Sequence, residues 1–541
     1  MSASSVLWGP DALWIPGGKT VRRMLLALAL LLAFGLAAGQ TLIYGVSGQP
    51  SSLDSVDSQD GNSLVVSAQV TERLLDFDPG TTDLVPALAT AWSSNEAGDV
   101  WTFELRQGVT FHDGTPFDAE AVKFNVDRWN LVDHPYSFRN EGKNYVPWGW
   151  VLGGPRDEGG IVDELVITGP FTVEFRLTQP AFLPTMLAAV YFQFDSPAAV
   201  MLHGADYGTP GVGSVGTGPF TFVEWIEGQQ VELAANPNYW GDVPKVDGVV
   251  FRAISEPTAR LAELQAGSID IAVLLSADDV QTVANDPNLK DASASVELNV
   301  GYLAMHQANP PLDNLLVRQA IAHAIDRDAI VEAFFAGRGT TASYHMPPAF
   351  AGDYPVWPYD YDPERARELL AEAGYPDGFT TELWYMPVSR PYYPAPQPIA
   401  ETMASYLADV GIQAQLLTED WTTYLSDYNT GKFPMYMLGW NADYADPDNF
   451  LNTFFGGTSG IDQLGWDAPD VVEALNQARQ APDPAERERL YAEIIGAVAD
   501  EAASIPMAHN VNLTATRANI DGFIMSPLGY SSVSLNNVTK D

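Results

Sequence analysis

The sequence of 541 residues predicts a mixed α/β fold that is built from several domains. Short stretches in which apolar and polar residues alternate, such as 41–46 and 100–105, are typical of half-buried strands. Other segments, such as 315–327, carry apolar residues at helical spacing. The length predicts roughly three to four domains, because a single core rarely grows beyond about 250–300 residues. A hydrophobic content of 46% is ample for packed cores and argues against global disorder.

The elements follow from apolar periodicity and from helix caps. We expect strands at 41–46, 100–105 and 220–225, and a hairpin over 166–177. A turn at 108–117 leads into a helix that begins near Asp118. Asp362 and Asp483 each precede a proline, which is typical of a helix cap followed by the first turn. Further helices are predicted over 315–327 and 401–410.

Charge and cysteine content exclude several functional classes. The chain carries 27 basic and 69 acidic residues, a formal charge of −42, and has no basic run, which excludes a nucleic-acid-binding protein on electrostatic grounds. The chain contains no cysteine. Disulfides, thiolate metal sites, cysteine nucleophiles and a lipid anchor on cysteine are therefore excluded. The acidity keeps a protein soluble but identifies no substrate.

The N-terminal segment is typical of a secretory signal peptide. Arg22 and Arg23 precede a short apolar run, and small residues follow up to Gly39. The run is too short and wrongly flanked for a membrane span. We predict an N-terminal extension plus signal peptide over 1–39, with translation starting at Val21 or Met24. The mature chain is expected to be free in the periplasm, without membrane insertion.

The sequence lacks the common catalytic and cofactor-binding motifs. It has no nucleophile elbow, no paired zinc histidines and no phosphate-binding loop. Residues 211–216 match the dinucleotide fingerprint by spacing, but the following 217–225 predicts a strand where a helix is required, so we interpret the match as a false positive. The run 112–114 is interpreted as a structural turn. The histidines are scattered, and we predict no metal and no cofactor. A carboxylate-pair hydrolase remains a remote alternative.

Two segments carry a candidate binding site. Residues 386–394 offer Arg390 among prolines and tyrosines, and residues 439–450 offer three aspartates beside Trp440. The prolines predict rigid irregular loops. An arginine fork can bind a carboxylate, and an aspartate can accept from an ammonium, so the two segments at opposite ends of one cleft would bind a zwitterion. A surface arginine and a solvated acidic turn are the alternative.

The segment 439–450, GWNADYADPDNF, resembles the ligand loop of the bacterial dipeptide- and oligopeptide-binding proteins, the family 5 solute receptors of ABC importers. Residues 387–392 are similar to the carboxylate-binding segment of that family. The blocks at 105–124, 216–225, 236–240 and 264–270 also resemble family motifs, so the resemblance covers essentially the whole mature chain. It implies that Asp443 binds the amino group of a peptide and that Arg390 binds the carboxylate. Trp440, Tyr392 and Tyr444 would line side-chain pockets, although core packing is an equally open interpretation of each.

The resemblance also implies the domain organisation. The family has a two-lobed periplasmic-binding-protein fold of type II, in its large three-domain cluster C form, with a hinge between the lobes. Domain I would comprise 40–83, 206–300 and 509–541, and domain II would be inserted at 84–205. Domain III, the second lobe and main carrier of the ligand loop, would comprise 301–508.

The function implied is that of a periplasmic substrate-binding receptor, not an enzyme. It would capture short peptides, most simply dipeptides, by hinge closure, and deliver them to ABC permease subunits powered by cytoplasmic ATPases. A monomer is expected. The same fold could instead serve oligopeptides, nickel chelates or oligosaccharides.

Overall fold

The computed structural model describes residues 40–350, 352–481 and 483–541. The predicted extension and signal peptide at 1–39 lie outside the described residues. Within the described ranges, every helix is too short or too polar to cross a bilayer. The structure is a mixed α/β fold, as predicted, with three larger sheets of seven, six and four strands.

The seven-stranded sheet is centred on the strand Thr41–Val46. This strand pairs in parallel with Gly248–Ala253 and with Ile271–Leu275, and all other neighbours in the sheet are antiparallel. Leu42, Tyr44 and Val46 are buried, as the alternation of apolar residues predicts. Across the sheet the strands are ordered Leu289–Asp291, Leu513–Arg517, Ile271–Leu275, Thr41–Val46, Gly248–Ala253, Gln230–Ala235 and Phe220–Ile226. The accompanying helices are Gly61–Val70, Pro257–Ala266 and Val280–Asn285.

The four-stranded sheet is antiparallel and lies within the predicted inserted domain. Its strands are ordered Ala89–Ser94, Val100–Leu105, Thr172–Leu177 and Val162–Gly169. The helix Ala119–Asn130 packs on it, and the Asp118 side chain caps this helix by accepting from the backbone N–H groups of Glu120 and Ala121. The helices Val146–Leu152, Leu183–Leu187 and Pro197–His203 also lie in this part. Its strand Leu84–Pro86 pairs with Leu75–Phe77, which precedes the predicted insertion.

The six-stranded sheet is buried at its centre. Every residue of Asn299–Met305 and Ser504–Asn510 is buried, as is usual for central strands whose sheet is covered on both faces. The strands are ordered Gly339–Thr341, Ser504–Asn510, Asn299–Met305, Met435–Asn441, Phe379–Trp384 and Ile412–Leu417. The helices are Leu315–Ala324, Arg327–Phe334, Pro363–Glu372, Pro396–Asp409, Trp421–Asp427, Asp448–Phe455, Ser459–Leu464, Pro469–Gln480 and Pro484–Asp500. A short pair, Ile520–Asp521 with Thr539–Lys540, closes the chain.

The elements that sequence patterns predicted are present in the structure, with two corrections. The single helix predicted over 315–327 is divided in two, because Ile325 is extended and the Asp326 side chain caps a second helix by accepting from the N–H of Ala329. The helix predicted from residue 401 begins earlier, at Pro396, where proline suits the first helical turn.

The chain passes twice between the seven-stranded and six-stranded sheets. It leaves the first sheet after Leu289–Asp291 to enter Asn299–Met305, and it returns after Ser504–Asn510 to enter Leu513–Arg517. The two crossings are tied together, since Asn299 Nδ2 donates to the Asn510 carbonyl at 2.8 Å and the Asn510 N–H donates to Asn299 Oδ1 at 2.9 Å. We call the part with the seven-stranded and four-stranded sheets lobe 1 and the part with the six-stranded sheet lobe 2. The domain bounds themselves stay a prediction.

Candidate ligand-binding site

A cavity of about 970 Å³ lies between the two lobes. Its volume is near the upper end of the range of about 300–1,000 Å³ that is usual for small-molecule sites. The charged side chains in its lining are Asp60, Arg260, Asp278, Glu297, Arg390 and Asp443. Its aromatic lining is formed by Trp150, Tyr191, Tyr302, Phe334, Tyr392, Trp421, Tyr428, Trp440, Phe454 and Tyr530. Arg390 and Asp443, the two residues predicted to bind the ends of a zwitterion, therefore face one cavity.

Asp443 lies in the turn between the strand Met435–Asn441 and the helix Asp448–Phe455 and is only 8% exposed. Its Oδ1 accepts from the Tyr191 hydroxyl at 2.9 Å, and its Oδ2 accepts from Asn449 Nδ2 at 3.2 Å. The backbone N–H of Asp443 in turn donates to Asn449 Oδ1 at 2.8 Å. Burial raises the pKa of Asp443 to about 6, and the bonds from Asn449 and Tyr191 partly offset that rise. In the described part of the chain, no cation pairs with this carboxylate.

Asp446 and Asp448, a few residues further on, have a different environment. Asp446 accepts twice from Arg487, at 2.7 and 2.9 Å, and Asp448 accepts from Arg479 at 2.8 Å. Burial alone would raise the pKa of Asp448, but the Arg479 guanidinium holds it below its usual value. These ion pairs fasten the turn to the helices Pro469–Gln480 and Pro484–Asp500. Both aspartates are structural, and they are buried rather than solvated.

Arg390 lies in a segment without regular structure. Its backbone forms a reciprocal pair with Tyr393, in which the Arg390 N–H donates at 3.1 Å and the Tyr393 N–H donates at 3.0 Å. The guanidinium carbon lies 4.4 Å from the centre of the Trp421 ring, within range of a cation–π interaction. The buried Nε of Arg390 has no hydrogen-bond partner. Among the residues described, no carboxylate forms an ion pair with Arg390, so its fork is available to an anionic group in the cavity.

The two segments are held together by a close approach at Gly439. A side chain there would overlap the ring of Tyr392 and the carbonyl of Val300, so only glycine lets the Arg390 segment pack on the strand that leads to Asp443. The second segment is not an irregular loop throughout, contrary to the prediction. Gly439, Trp440 and Asn441 complete a strand, and Asp448 opens a helix.

The predicted aromatic residues divide into two groups. Tyr392 and Trp440 line the cavity, and Trp440 Nε1 donates to Asn449 Oδ1 at 3.3 Å. Tyr444 does not line it. Its ring is buried and its hydroxyl donates to Asp448 Oδ2 at 2.7 Å, so Tyr444 packs within lobe 2 rather than facing a ligand. This corrects the expected placement of Tyr444.

Sequence reasoning did not find Trp421 or Tyr191, which contact the two predicted charged residues. Trp421 opens a short helix 31 positions after Arg390, and Tyr191 stands 252 positions before Asp443. No periodicity or motif connects such distant positions. They could have been found only by knowing which segments of the chain form the walls of the cavity in this fold.

The interpretations of 112–114 and of 211–216 agree with the structure. His112 packs through hydrogen bonds to the carbonyls of Gly216 and Gly218, so 112–114 is a structural turn. Residues 211–216 lead into the strand Phe220–Ile226 and not into a helix. Within the described ranges, no group of three or more histidine, aspartate or glutamate side chains could hold a metal ion.

Comparison with known proteins places the chain in a family. The family described as bacterial extracellular solute-binding proteins, family 5 Middle, matches residues 83–462. The chain belongs to this family. Two curated relatives of this family 5 protein are Heme-binding protein A of Haemophilus influenzae and Dipeptide-binding protein of Escherichia coli. The first is 32% identical, covering 92% of each chain, and the second is 31% identical, covering 94% of this chain and 97% of the relative.

Solved structures show the same fold over nearly the whole family 5 chain. HbpA2 from Haemophilus parasuis has a TM-score of 0.81 at 30% identity, covering 93% of this chain and 100% of that one. The dipeptide-binding protein from Pseudoalteromonas sp. SM9913, solved in complex with Met-Leu, has a TM-score of 0.79 at 29% identity with the same coverage. The two-lobed fold implied by the sequence resemblance is thereby confirmed.

Proposed function

We propose that this family 5 protein is a periplasmic receptor of an ABC importer that captures short peptides, dipeptides above all. The proposal is carried by one observation, the presence of Arg390 and Asp443 in the lining of one cavity with no opposite charge paired to either among the described residues. A guanidinium fork matches a carboxylate, and a buried carboxylate matches an ammonium. The two groups together match the two ends of a peptide.

The named relatives support the choice of a peptide. Two of them are called dipeptide-binding proteins, and one was solved with the dipeptide Met-Leu. Desolvation makes each charged group in a closed site costly unless it is paired, so a ligand that lacks one terminus would be penalised. A sugar would leave both Arg390 and Asp443 without a counter-charge.

Capture would proceed by closure of the lobes about the two crossings, with no covalent chemistry. Backbone groups and the rings of Tyr392 and Trp440 would contact the peptide, and the spare volume of the cavity would take varied side chains with water. The loaded receptor would dock, as a monomer, on permease subunits driven by ATPases.

A second candidate is favoured by the size of the cavity. A volume of about 970 Å³ admits larger ligands than a dipeptide, such as a longer peptide or the heme for which the Haemophilus influenzae relative is named. Heme has carboxylates that Arg390 could bind, but it has no ammonium for Asp443. The dependence of binding on Asp443 therefore distinguishes peptide from heme.

The test is calorimetric titration of protein that has been unfolded and refolded to remove carried-over ligand. The ligands would be dipeptides, the same dipeptides acetylated at the amino end or amidated at the carboxyl end, tripeptides to pentapeptides, and heme. We expect saturable binding of free dipeptides and severe weakening when either end is blocked. Binding of heme alone, or equal binding of free and blocked peptides, would overturn the proposal.

A further inference from the structure

Tyr191 joins the two lobes at the candidate ammonium site. It belongs to lobe 1, in the part of the chain predicted as the inserted domain, and its hydroxyl donates across the cleft to Oδ1 of Asp443 in lobe 2 at 2.9 Å. The residue lines the cavity. A hydrogen bond between lobes is thus made to the same carboxylate that would bind the ligand.

Lobe 1 holds Tyr191 in a fixed position. Its carbonyl accepts from the Ser55 hydroxyl at 2.7 Å and from the Gln193 N–H at 2.9 Å. Its ring lies edge-on to Trp150, with 6.3 Å between ring centres. Burial, followed by the Asp443 charge, raises the pKa of Tyr191, so the phenol keeps its proton and acts as a donor. The donor therefore moves with lobe 1 and its acceptor moves with lobe 2.

We propose that Tyr191 couples recognition of the ligand's ammonium group to closure of the lobes, as a positioning and specificity-determining residue for Asp443. The inference rests on the proposed function. Asp443 then has two roles, since its carboxylate binds the ligand and also accepts the Tyr191 hydrogen bond that joins the lobes.

The carboxylate of Asp443 can accept from Tyr191 and from a ligand's ammonium group at the same time. An ionised carboxylate has about four lone-pair positions on its two oxygens. Tyr191 uses one position on Oδ1 and Asn449 uses one on Oδ2, which leaves positions for an ammonium. Ligand and Tyr191 would therefore share the carboxylate and would not compete for it.

The two contacts strengthen each other through the charge of Asp443. An ammonium beside Asp443 favours the ionised carboxylate, and hydrogen bonds to an ionised acceptor are roughly twice as strong as neutral ones. Ammonium binding therefore stabilises the Tyr191 bond and with it the closed arrangement. By thermodynamic linkage, closure tightens the hold on the ammonium by the same factor.

Another contact between the lobes lacks this dependence. The ion pair between Asp291 and Arg338, at 2.9 Å, lies at the crossings, where Arg338 also donates to the carbonyl of Val511 at 2.8 Å. Neither Asp291 nor Arg338 lines the cavity. That pair would stabilise closure whatever the ligand, whereas the Tyr191 bond responds to the group bound at Asp443.

The test uses Tyr191→Phe, which keeps the ring and removes the hydroxyl. Tyr239→Phe is the matched control, because Tyr239 donates at 2.6 Å to the half-buried carboxylate of Glu72 in the same lobe and does not line the cavity. Free and amino-acetylated dipeptides would be titrated into the full mature chain, and the ligand-induced change in radius of gyration would be followed by X-ray scattering.

We expect Tyr191→Phe to lower the affinity for free dipeptides about tenfold, mainly through faster dissociation. The affinity for acetylated dipeptides should fall less than about twofold. The compaction on binding should shrink, and Tyr239→Phe should leave both readouts unchanged. In an Asp443→Asn background, Tyr191→Phe should no longer change the ratio between free and acetylated ligands. Equal weakening of both ligands, or no change, would overturn the coupling while peptide binding stands. Failure of the unaltered protein to bind free dipeptides would overturn the proposed function and the coupling together.

Discussion

The two ends of the cavity are built differently. Asp443 is buried in a turn between a strand and a helix, and donors from both lobes hydrogen-bond its carboxylate. Arg390 is half-buried in an irregular segment of lobe 2 and rests on Trp421 of the same lobe. The proposed ammonium end is thus formed only when the lobes meet, whereas the proposed carboxylate end is complete within one lobe. Closure of the lobes would therefore depend on the ligand group bound at Asp443, and the ligand would first bind at Arg390.

A second contrast separates Asp443 from its neighbours in the same turn. Asp446 and Asp448 are paired with Arg487 and Arg479, whereas among the described residues Asp443 accepts only from neutral donors. The charge of a carboxylate paired with an arginine is already compensated, and a buried carboxylate without a cation is free to bind a ligand's charge. The availability of a cation, more than burial, separates the two roles.

The largest expected effect comes from Asp443→Asn. Removing one partner of a buried charge pair costs about 3–5 kcal/mol, so free dipeptides should bind at least about 100-fold more weakly. The fold should lose no stability, because no cation depends on Asp443. Calorimetry and thermal unfolding check the two parts.

Asp448→Asn is the matched control for that variant. It leaves Arg479 without its carboxylate, so we expect thermal stability to fall while the folded fraction keeps its affinity for dipeptides. The same loss of binding in both variants would remove the distinction between the two aspartates.

Arg390→Gln should weaken only the binding of the peptide's carboxyl end. The loss of charged hydrogen bonds from a half-buried site is expected to cost about 2 kcal/mol, or about 30-fold in affinity, for peptides with a free carboxylate. Amidated peptides should bind this variant and the unaltered protein alike. Arg365→Gln, on an exposed helix, is a control that should change neither. A loss that is equal for amidated and free peptides would show that Arg390 does not read the carboxylate.

The pH dependence of binding should report the ammonium end. The pKa of Asp443 is raised to about 6, so its ionised fraction falls as pH drops through that value. Affinity for free dipeptides should be highest near pH 7 and about tenfold weaker at pH 5, where Asp443 is largely protonated while the peptide ammonium is still charged. Affinity should fall again above about pH 8, because the peptide ammonium then loses its proton. Glu297, which also lines the cavity, has its pKa raised by burial to about 7. Asp443→Asn should flatten the acidic side of the profile, and a slope that persists there in this variant would be assigned to Glu297 instead.

The smallest effect is expected for Trp421→Leu. A cation–π contact at a partly exposed site contributes about 0.5–1 kcal/mol, so peptides with a free carboxylate should lose about threefold in affinity. Amidated peptides, which do not need an oriented guanidinium, should be unaffected. If the variant weakens both by the same factor, Trp421 contributes packing and does not orient Arg390.

Local signals in the sequence were enough for the elements and for the candidate pair. Alternation marks Thr41–Val46 and Val100–Leu105 with the bounds that the structure has, and Asp118, Asp362 and Asp483 cap helices as expected. Arg390 and Asp443 followed from the residue types and from the family resemblance. The element predictions succeed because they depend on neighbours within a few positions. The pair stays a prediction, and it rests on motifs that keep their order along the chain.

Only the tertiary structure decided which of these side chains line the cavity and which pack within the fold. Three aspartates stand within six residues, and nothing local shows that Arg479 and Arg487 pair with two of them from helices 31 and 41 positions away. The Tyr444 ring is buried in the core, where its hydroxyl donates to Asp448. Tyr191, 252 positions before Asp443 in the chain, donates to it from the other lobe. Pairing of charges and donors depends on distance in space, and folding sets that distance independently of separation along the chain.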